Sequence, residues 1–307
     1  MTDTFEAMLA DIAQDYNAAL EHVEVDARGS RHWRDVVFAH VDGFRPLTLY
    51  VSAPRTNVPA PLVVFIHGGG WMLGHPMVTN PVYAALDMSG KLLAAGYAVA
   101  RISYRLSSEA TFPVQLHDCK SAIRFLRNHA DVFGVDAGRF AAMGDSAGGH
   151  LAALVGLTGR RPNLEGTVGE TAGSSAVQAV VDWFGPIDFL TMPEQAIPGG
   201  NTSQHDPKSP ESRLIGGPIP ERRQSVAVAS PMSYVSGDAP PFLIQHGTLD
   251  RLVPIGQSRE LHAALRKAGA ASTLIEIEGA DHCFWGVDRV GIMADVTGFL
   301  DRVLAAG

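Results

Sequence analysis

Two kinds of hydrophobic pattern alternate along the chain from about residue 60 onward. Short continuous apolar runs are typical of strands that are buried on both faces of a sheet. They predict strands at 62–66, 97–104, 139–143, 177–184, 241–246 and 272–277. Between them, apolar residues recur every three or four positions and predict helices at 81–95, 114–130, from 146, 256–268 and 287–304. The alternation predicts the α/β class, with a mostly parallel central sheet and helices on both faces.

The N-terminal part follows a different pattern. Residues 3–21 place apolar side chains on one helical face and acidic ones on the other, which favours a helix packed on the domain over one lying on a membrane. Its apolar positions are Phe5, Met8, Leu9, Ile12, Tyr16 and Leu20. Strands are predicted near 34–41 and 47–52, with a turn at the Asp-Gly pair 42–43.

One segment interrupts the alternation. Residues 185–240 are rich in proline, glycine and serine and are too long for a plain connection between two strands. They predict an insertion that is part helical near 219–229. We interpret the whole chain, 1–307, as a single domain in which the N-terminal helix (1–24) and this insertion roof the active site, since ligands bind beyond the carboxyl ends of parallel strands.

Composition and charge exclude several classes of protein. The 24 Lys and Arg are outnumbered by 32 Asp and Glu, and no basic run occurs, so neither nucleic acid nor an anionic membrane is an expected partner. Cys119 and Cys283, the two cysteines, form neither a CxxC pair nor a disulfide framework. Because the N-terminus lacks a signal-peptide pattern and no stretch reaches about 18 apolar residues, a cytoplasmic location is expected.

The last predicted helix has an apolar face. We favour packing of this face on the chain's own sheet; the alternative is a homodimer interface. The residues concerned are Val290, Ile292, Met293, Val296, Phe299, Leu300 and Val303.

The segment GDSAGG at 144–149 follows one predicted strand and opens the next helix. A Gly-x-Ser-x-Gly sequence at such a junction is typical of a nucleophile elbow, in which a sharp turn exposes the serine above the sheet. The helix that follows would aim free N–H groups and the positive end of its dipole at developing negative charge. Ser146 is therefore the candidate nucleophile. The alternative is a glycine-rich turn with an inert serine.

The segment HGGGW at 67–71 directly follows the strand at 62–66. A glycine run there lets backbone N–H groups face a pocket, which is the pattern of an oxyanion loop. A phosphate-binding loop would require a following lysine, and none is present.

An acid and a histidine follow two later strands. Asp250 comes four residues after the strand at 241–246, and His282 comes five residues after the strand at 272–277. The order Ser146, Asp250, His282 is that of an α/β hydrolase, in which the three loops meet at one edge of the sheet. Competing acids are Asp238, Glu276, Glu278 and Asp281. Among the other histidines, His150 is expected to pack, and His67 and His246 end strands where they could orient loops.

Together, HGGGW, YRLSSE (104–109), GDSAGG, HGTLDRLVP (246–254) and DHCF (281–284) resemble the bacterial α/β-hydrolase esterases related to hormone-sensitive lipase, most closely the feruloyl-esterase-like branch. The resemblance spans about residues 45–300. Two departures are the sequence YRLSSE, where hormone-sensitive-lipase relatives usually read YRLAPE, and a shorter N-terminal cap.

The resemblance implies a catalytic triad. Ser146 would be the nucleophile, His282 the general base and acid, and Asp250 the residue that orients His282. The oxyanion hole would be formed by the backbone N–H groups of Gly69, Gly70 and Ala147. No metal or organic cofactor is implied.

Aromatic residues near these motifs predict the substrate pocket. We expect Trp71, Trp183, Phe184 and Trp285 to line it, with ordinary core packing as the alternative. The predicted substrate is a small-molecule ester of the short-chain, aryl or feruloyl type. The two alternative functions are a small amidase or aryl-formamidase, and a non-catalytic receptor similar to plant gibberellin receptors, which the presence of all three triad residues disfavours.

Overall fold

Nine strands form one sheet in the computed structural model, which describes residues 19–41, 43–77 and 81–304. Their order across the sheet is β1-β2-β3-β5-β4-β6-β7-β8-β9. The first three are antiparallel to their neighbours, and the remaining contacts are parallel. The strands are β1 (Glu24–Val25), β2 (Arg31–Ala39), β3 (Leu47–Ala53), β4 (Ala60–Ile66), β5 (Ala98–Ile102), β6 (Val135–Asp145), β7 (Ala179–Trp183), β8 (Phe242–Gly247) and β9 (Ser272–Ile277).

Helices connect the parallel strands, which confirms the α/β-hydrolase class expected from the sequence. They are α1 (Pro81–Leu86), α2 (Met88–Ala94), α3 (Val114–Asn128), α4 (Ala130–Phe133), α5 (Ala147–Thr158), α6 (Met192–Gln195), α7 (Pro210–Ile215), α8 (Arg223–Ala229), α9 (Gly256–Lys267) and α10 (Ile292–Val303).

Two predicted helices differ in their bounds for a local backbone reason. The helix predicted at 81–95 is interrupted at Asp87, whose left-handed backbone (φ 47°) breaks the run of helical hydrogen bonds. The helix predicted from residue 287 begins only at Ile292, because Gly291 has φ 103° and cannot belong to a right-handed helix. Neither conformation follows from hydrophobic spacing.

The sheet is buried on both faces. Alternate residues of β4 divide between two hydrophobic clusters: Val64 and Ile66 belong to one, and Val63 and Phe65 to the other. The first cluster includes apolar residues of α3, α5 and α9, whereas the second includes those of α2 and α10. The apolar face of α10 therefore packs on the sheet of its own chain.

The insertion at 185–240 contains α6, α7 and α8, and the part predicted to be helical is confirmed by a 3₁₀ turn at Ile219–Glu221 and by α8. Pro210, the first residue of α7, lies so close to the glycine loop that a Cβ placed on Gly70 would be 3.3 Å from its Cβ. The insertion thus lies beside this loop, and its role as a roof stays a prediction.

The predicted helix at 3–21 lies mostly outside the described residues, as does position 42 of the predicted turn. The described residues begin with a helical segment at 19–21. Its Leu20 carbonyl accepts a hydrogen bond from the Trp33 indole at 3.2 Å. Among the helices that the structure describes, none has the length and apolar character needed to cross a membrane.

Candidate active site

Ser146 lies on a strained turn between β6 and α5. Its backbone has φ 53° and ψ −120°, a conformation that costs a non-glycine residue about 1–3 kcal/mol. The turn is held by the Ser146 N–H, which donates to the Trp183 carbonyl at 2.8 Å. It also requires glycine at position 148, since a Cβ there would overlap the carbonyl oxygen of Ile66 on β4. The sequence Gly-x-Ser-x-Gly therefore folds here as a nucleophile elbow.

A row of hydrogen bonds joins the loops that follow β6, β8 and β9. The Ser146 hydroxyl lies 3.1 Å from His282 Nε2, and His282 Nδ1 lies 2.7 Å from Asp250 Oδ2. A carboxylate only accepts, so Nδ1 carries the proton and Nε2 is free to accept the proton of Ser146. The structure thus brings together the three residues that the sequence placed far apart.

Asp250 is buried and has several donors. Its Oδ1 accepts the backbone N–H groups of Leu252 and Val253 at 2.9 and 2.8 Å, and its Oδ2 receives His282. Burial alone would raise its pKa, but hydrogen bonds and electrostatic interaction with His246 and His282 hold the pKa well below its usual range. Asp250 is therefore ionised throughout the neutral range.

The loop carrying His282 is fastened to the loop carrying Asp250. Asp281 accepts the His282 N–H at 2.8 Å and the Arg251 N–H at 2.9 Å, and it also forms an ion pair with the Arg251 guanidinium. Asp281, the competing acid next to His282, is thus engaged by Arg251 and by the backbone N–H of His282. The other competing acids face elsewhere: Asp238 pairs with Arg160, Glu276 pairs with Arg259, and Glu278 is exposed.

The glycine loop after β4 is held from two sides. The Gly68 N–H donates to Asp145 Oδ1 at 2.9 Å, and the Tyr104 hydroxyl donates to the His67 carbonyl at 2.9 Å. Burial lowers the pKa of His67 to about 4, so its ring is neutral as it stacks on Tyr104. The segment YRLSSE also supports the loop, because the Ser107 N–H donates to the Trp71 carbonyl at 2.7 Å.

Three backbone N–H groups were predicted to form an oxyanion hole. Within the described residues, those of Gly69, Gly70 and Ala147 have no protein acceptor, whereas that of Gly68 does. Gly69 has φ 100°, and a Cβ on it would overlap the Leu73 carbonyl oxygen, so this turn of the loop requires glycine. The oxyanion hole of Gly69, Gly70 and Ala147 stays a prediction.

The four aromatic residues predicted to line a pocket lie in different surroundings. Trp183 is fully buried and donates to Gln245 Oε1 at 2.7 Å, so it is a core residue and not part of a pocket wall. Phe184 is also fully buried, with its ring 4.8 Å from that of His282. Trp71 packs against His150, and Trp285 is 56% exposed. Only Trp285 has the accessible surface that a pocket wall requires.

His150, one helical turn after Ser146, is buried as expected of a packing residue. Its Nε2 lies 2.7 Å from the Ala229 carbonyl.

Across the described ranges, no three His, Cys, Asp or Glu side chains are grouped in a way that could hold a metal ion.

Asp182, on β7 beneath the elbow, is fully buried, and its Oδ1 accepts the Gly185 N–H at 2.9 Å. Burial raises its pKa to about 6, although the Gly185 N–H and electrostatic interaction with His246 lower it. In the unfolded chain this carboxyl ionises near pH 4. The contribution of Asp182 to the free energy of unfolding is therefore fully present below about pH 4. It is lost as the pH rises through about 6, by about 3 kcal/mol in total.

We expect Asp182→Asn to remove this pH dependence. The melting temperature of the variant, relative to the wild type, should be higher at pH 7.5 than at pH 4.5. Thermal unfolding followed by circular dichroism at both pH values measures it, with the exposed Asp238→Asn as the control. An equal difference at the two pH values would contradict the raised pKa.

Sequence reasoning missed the roles of Tyr104 and Arg251. Tyr104 and Arg251 support loops that are distant in sequence, so no spacing rule identifies them.

Comparison with known proteins identifies the family. Residues 47–265 match the BD-FAE family. The chain is 33% identical to esterase LipC of Mycobacterium tuberculosis over 256 residues, which is 82% of this chain and 60% of LipC. It is 33% identical to esterase LipQ of the same organism over 233 residues, which is 73% of this chain and 50% of LipQ. It thus spans between half and about 60% of the length of these curated relatives.

The chain is also similar to a solved structure. A truncated form of a carbohydrate esterase from gut microbiota is 30% identical and has a TM-score of 0.76, with 90% of this chain and 96% of that chain covered. The family match covers most of the chain and includes the glycine loop, the elbow and Asp250. The protein belongs to the BD-FAE family.

Proposed function

We propose that this protein is a serine carboxylic-ester hydrolase that acts through Ser146, His282 and Asp250. The observation that carries the proposal is the hydrogen-bonded row from the Ser146 hydroxyl through His282 to the buried Asp250 carboxylate. The esterases among its relatives support the same activity.

The mechanism follows from the protonation states of the row. His282 Nε2 takes the proton of Ser146 as the hydroxyl oxygen attacks the ester carbonyl, and Asp250 stabilises the resulting imidazolium. The N–H groups of Gly69, Gly70 and Ala147 stabilise the tetrahedral oxyanion, each such donor contributing about 3 kcal/mol. His282 then protonates the leaving alcohol. Water, activated by the same histidine, releases the acid from the acyl-enzyme.

The exposed apolar residues near Asp250 and His282 favour an apolar or aromatic group in the substrate. Leu249 and Leu252 flank Asp250 and are 52% and 50% exposed, and Trp285 follows His282 by three residues. The two loops are tied together by the Leu249 N–H, which donates to the Ala280 carbonyl at 2.9 Å. We therefore infer that short-chain and aryl esters, including feruloyl esters, are its substrates.

A substrate panel tests this proposal. We expect turnover of p-nitrophenyl acetate and butyrate and of methyl ferulate, weaker turnover of p-nitrophenyl octanoate, and slow turnover of formanilide. With p-nitrophenyl acetate, an initial burst of p-nitrophenol equal to the enzyme concentration would report the acyl-enzyme.

The outcomes separate the alternatives. Formanilide cleaved faster than every ester would indicate an amidase or aryl-formamidase. If the wild type and Ser146→Ala were equally inactive towards every compound, the hydrolase proposal would fail.

A further inference from the structure

Asp250 lies between two imidazole rings. Its Oδ2 is 2.7 Å from His282 Nδ1 on one side and 3.2 Å from His246 Nε2 on the other. The His246 side chain has no exposed surface, and neither has that of Asp250. The ring of His246 is held at its far end by Ser258 on α9, whose hydroxyl is 2.7 Å from Nδ1.

The contacts of His246 determine which nitrogen carries the proton. Nε2 lies 2.9 Å from the Val253 carbonyl and 3.2 Å from the Asp250 carboxylate, and both of these groups only accept hydrogen bonds. Nε2 must therefore carry a hydrogen, which it donates to the Val253 carbonyl while the Asp250 carboxylate lies 3.2 Å from the same nitrogen. Nδ1 faces a hydroxyl, which can donate to the neutral ring.

The row Ser258, His246, Asp250 has the composition of a second triad, but it cannot meet a substrate. Ser258 and His246 are fully buried. The charged groups near His246 are Asp250, Asp182 on β7 and Glu276 on β9, the last two through electrostatic interaction. Whatever His246 does for a reaction, it must do through Asp250.

We propose that His246 is a positioning residue for the ester hydrolysis proposed above, on which this inference rests. Its Nε2–H places positive partial charge 3.2 Å from Asp250 Oδ2, the oxygen that accepts the His282 Nδ1–H, and so holds this oxygen in place. Meanwhile Leu252 and Val253 hold Oδ1 through their backbone N–H groups. With Oδ2 fixed, His282 keeps the Nδ1–H form in which Nε2 accepts the Ser146 proton.

Three variants test this role. His246→Phe removes the donor, His246→Gln keeps an N–H near the position of Nε2, and Ser258→Ala removes only the contact to Nδ1. We expect kcat to fall about 10- to 100-fold in His246→Phe, the range found for groups that orient metal-binding histidines. We expect KM to change little, His246→Gln to restore part of kcat, and Ser258→Ala to lower kcat less than His246→Phe does, because it leaves the Nε2–H in place.

Nitrogen NMR of ¹⁵N-histidine-labelled protein supplies a readout that does not depend on activity. In the wild type, His246 is expected in the Nε2–H form and His282 in the Nδ1–H form. His246→Phe should give His282 a mixture of both forms, and His246→Gln should restore Nδ1–H.

These measurements distinguish the possible failures. A wild-type His246 in the Nδ1–H form would overturn the proposal even if His246→Phe did not fold. So would a folded His246→Phe with unchanged kcat and an unchanged His282 signal. If ester hydrolysis itself were absent, the proposed function would fail, and the NMR signals would still show whether His246 positions Asp250 and His282.

Discussion

Replacing Ser146 with alanine is expected to lower kcat for ester hydrolysis by about 10⁶-fold. The variant loses the only hydroxyl placed 3.1 Å from His282 Nε2 in the described structure, so no covalent acyl-enzyme can form there. The backbone turn should survive, because it is held by the Ser146 N–H and by the close approach of Gly148 to β4. Substrate binding should therefore change much less than kcat.

Steady-state kinetics with p-nitrophenyl acetate and methyl ferulate measure this loss. The matched control is Ser121→Ala, which removes a buried hydroxyl on α3 that has no hydrogen-bond partner in the described part of the chain. Ser121→Ala should be as active as the wild type. A Ser146→Ala enzyme that kept a tenth of the wild-type kcat would show that another group is the nucleophile.

The elements that bring Ser146 to this position were predictable because their signals are local. Short apolar runs lie in the buried parts of β4, β6 and β8, at 62–66, 140–143 and 242–244, as burial on both faces requires. The elbow and the glycine loop depend on close backbone contacts that only glycine permits, so their sequences mark their conformations. The loops meet because parallel strands place their carboxyl ends at one edge of the sheet.

The surroundings of the aromatic residues were not predictable in this way. Trp183 ends β7 next to the elbow, and nearness in sequence suggested a pocket wall. In a sheet covered on both faces, however, each side chain of a central strand faces a helical layer, and Trp183 meets Gln245 and Phe284 there. Which layer encloses a side chain depends on distant residues, so motif proximity alone could not separate Trp183 from the exposed Trp285.

Replacing Asp250 with asparagine is expected to lower kcat by about 10⁴-fold. The physical reason lies in the donors around this carboxylate. The Leu252 and Val253 N–H groups will hold the amide oxygen of the new residue at the Oδ1 position. Its NH₂ group then lies at the Oδ2 position and faces His282 Nδ1. Since an NH₂ group only donates, His282 must carry its proton on Nε2. Protonated there, His282 can no longer accept the proton of Ser146.

The same substitution sets the new NH₂ group against the Nε2–H of His246, so some loss of stability should accompany the loss of kcat. Thermal unfolding separates the two effects when kinetics are measured well below the melting temperature. The matched control is Asp281→Asn, which changes the acid next to His282 and weakens its ion pair with Arg251. We expect it to lower kcat about 10-fold or less, because exposed ion pairs contribute little. A larger loss of kcat in Asp281→Asn than in Asp250→Asn would mean that Asp281 is the acid that orients His282.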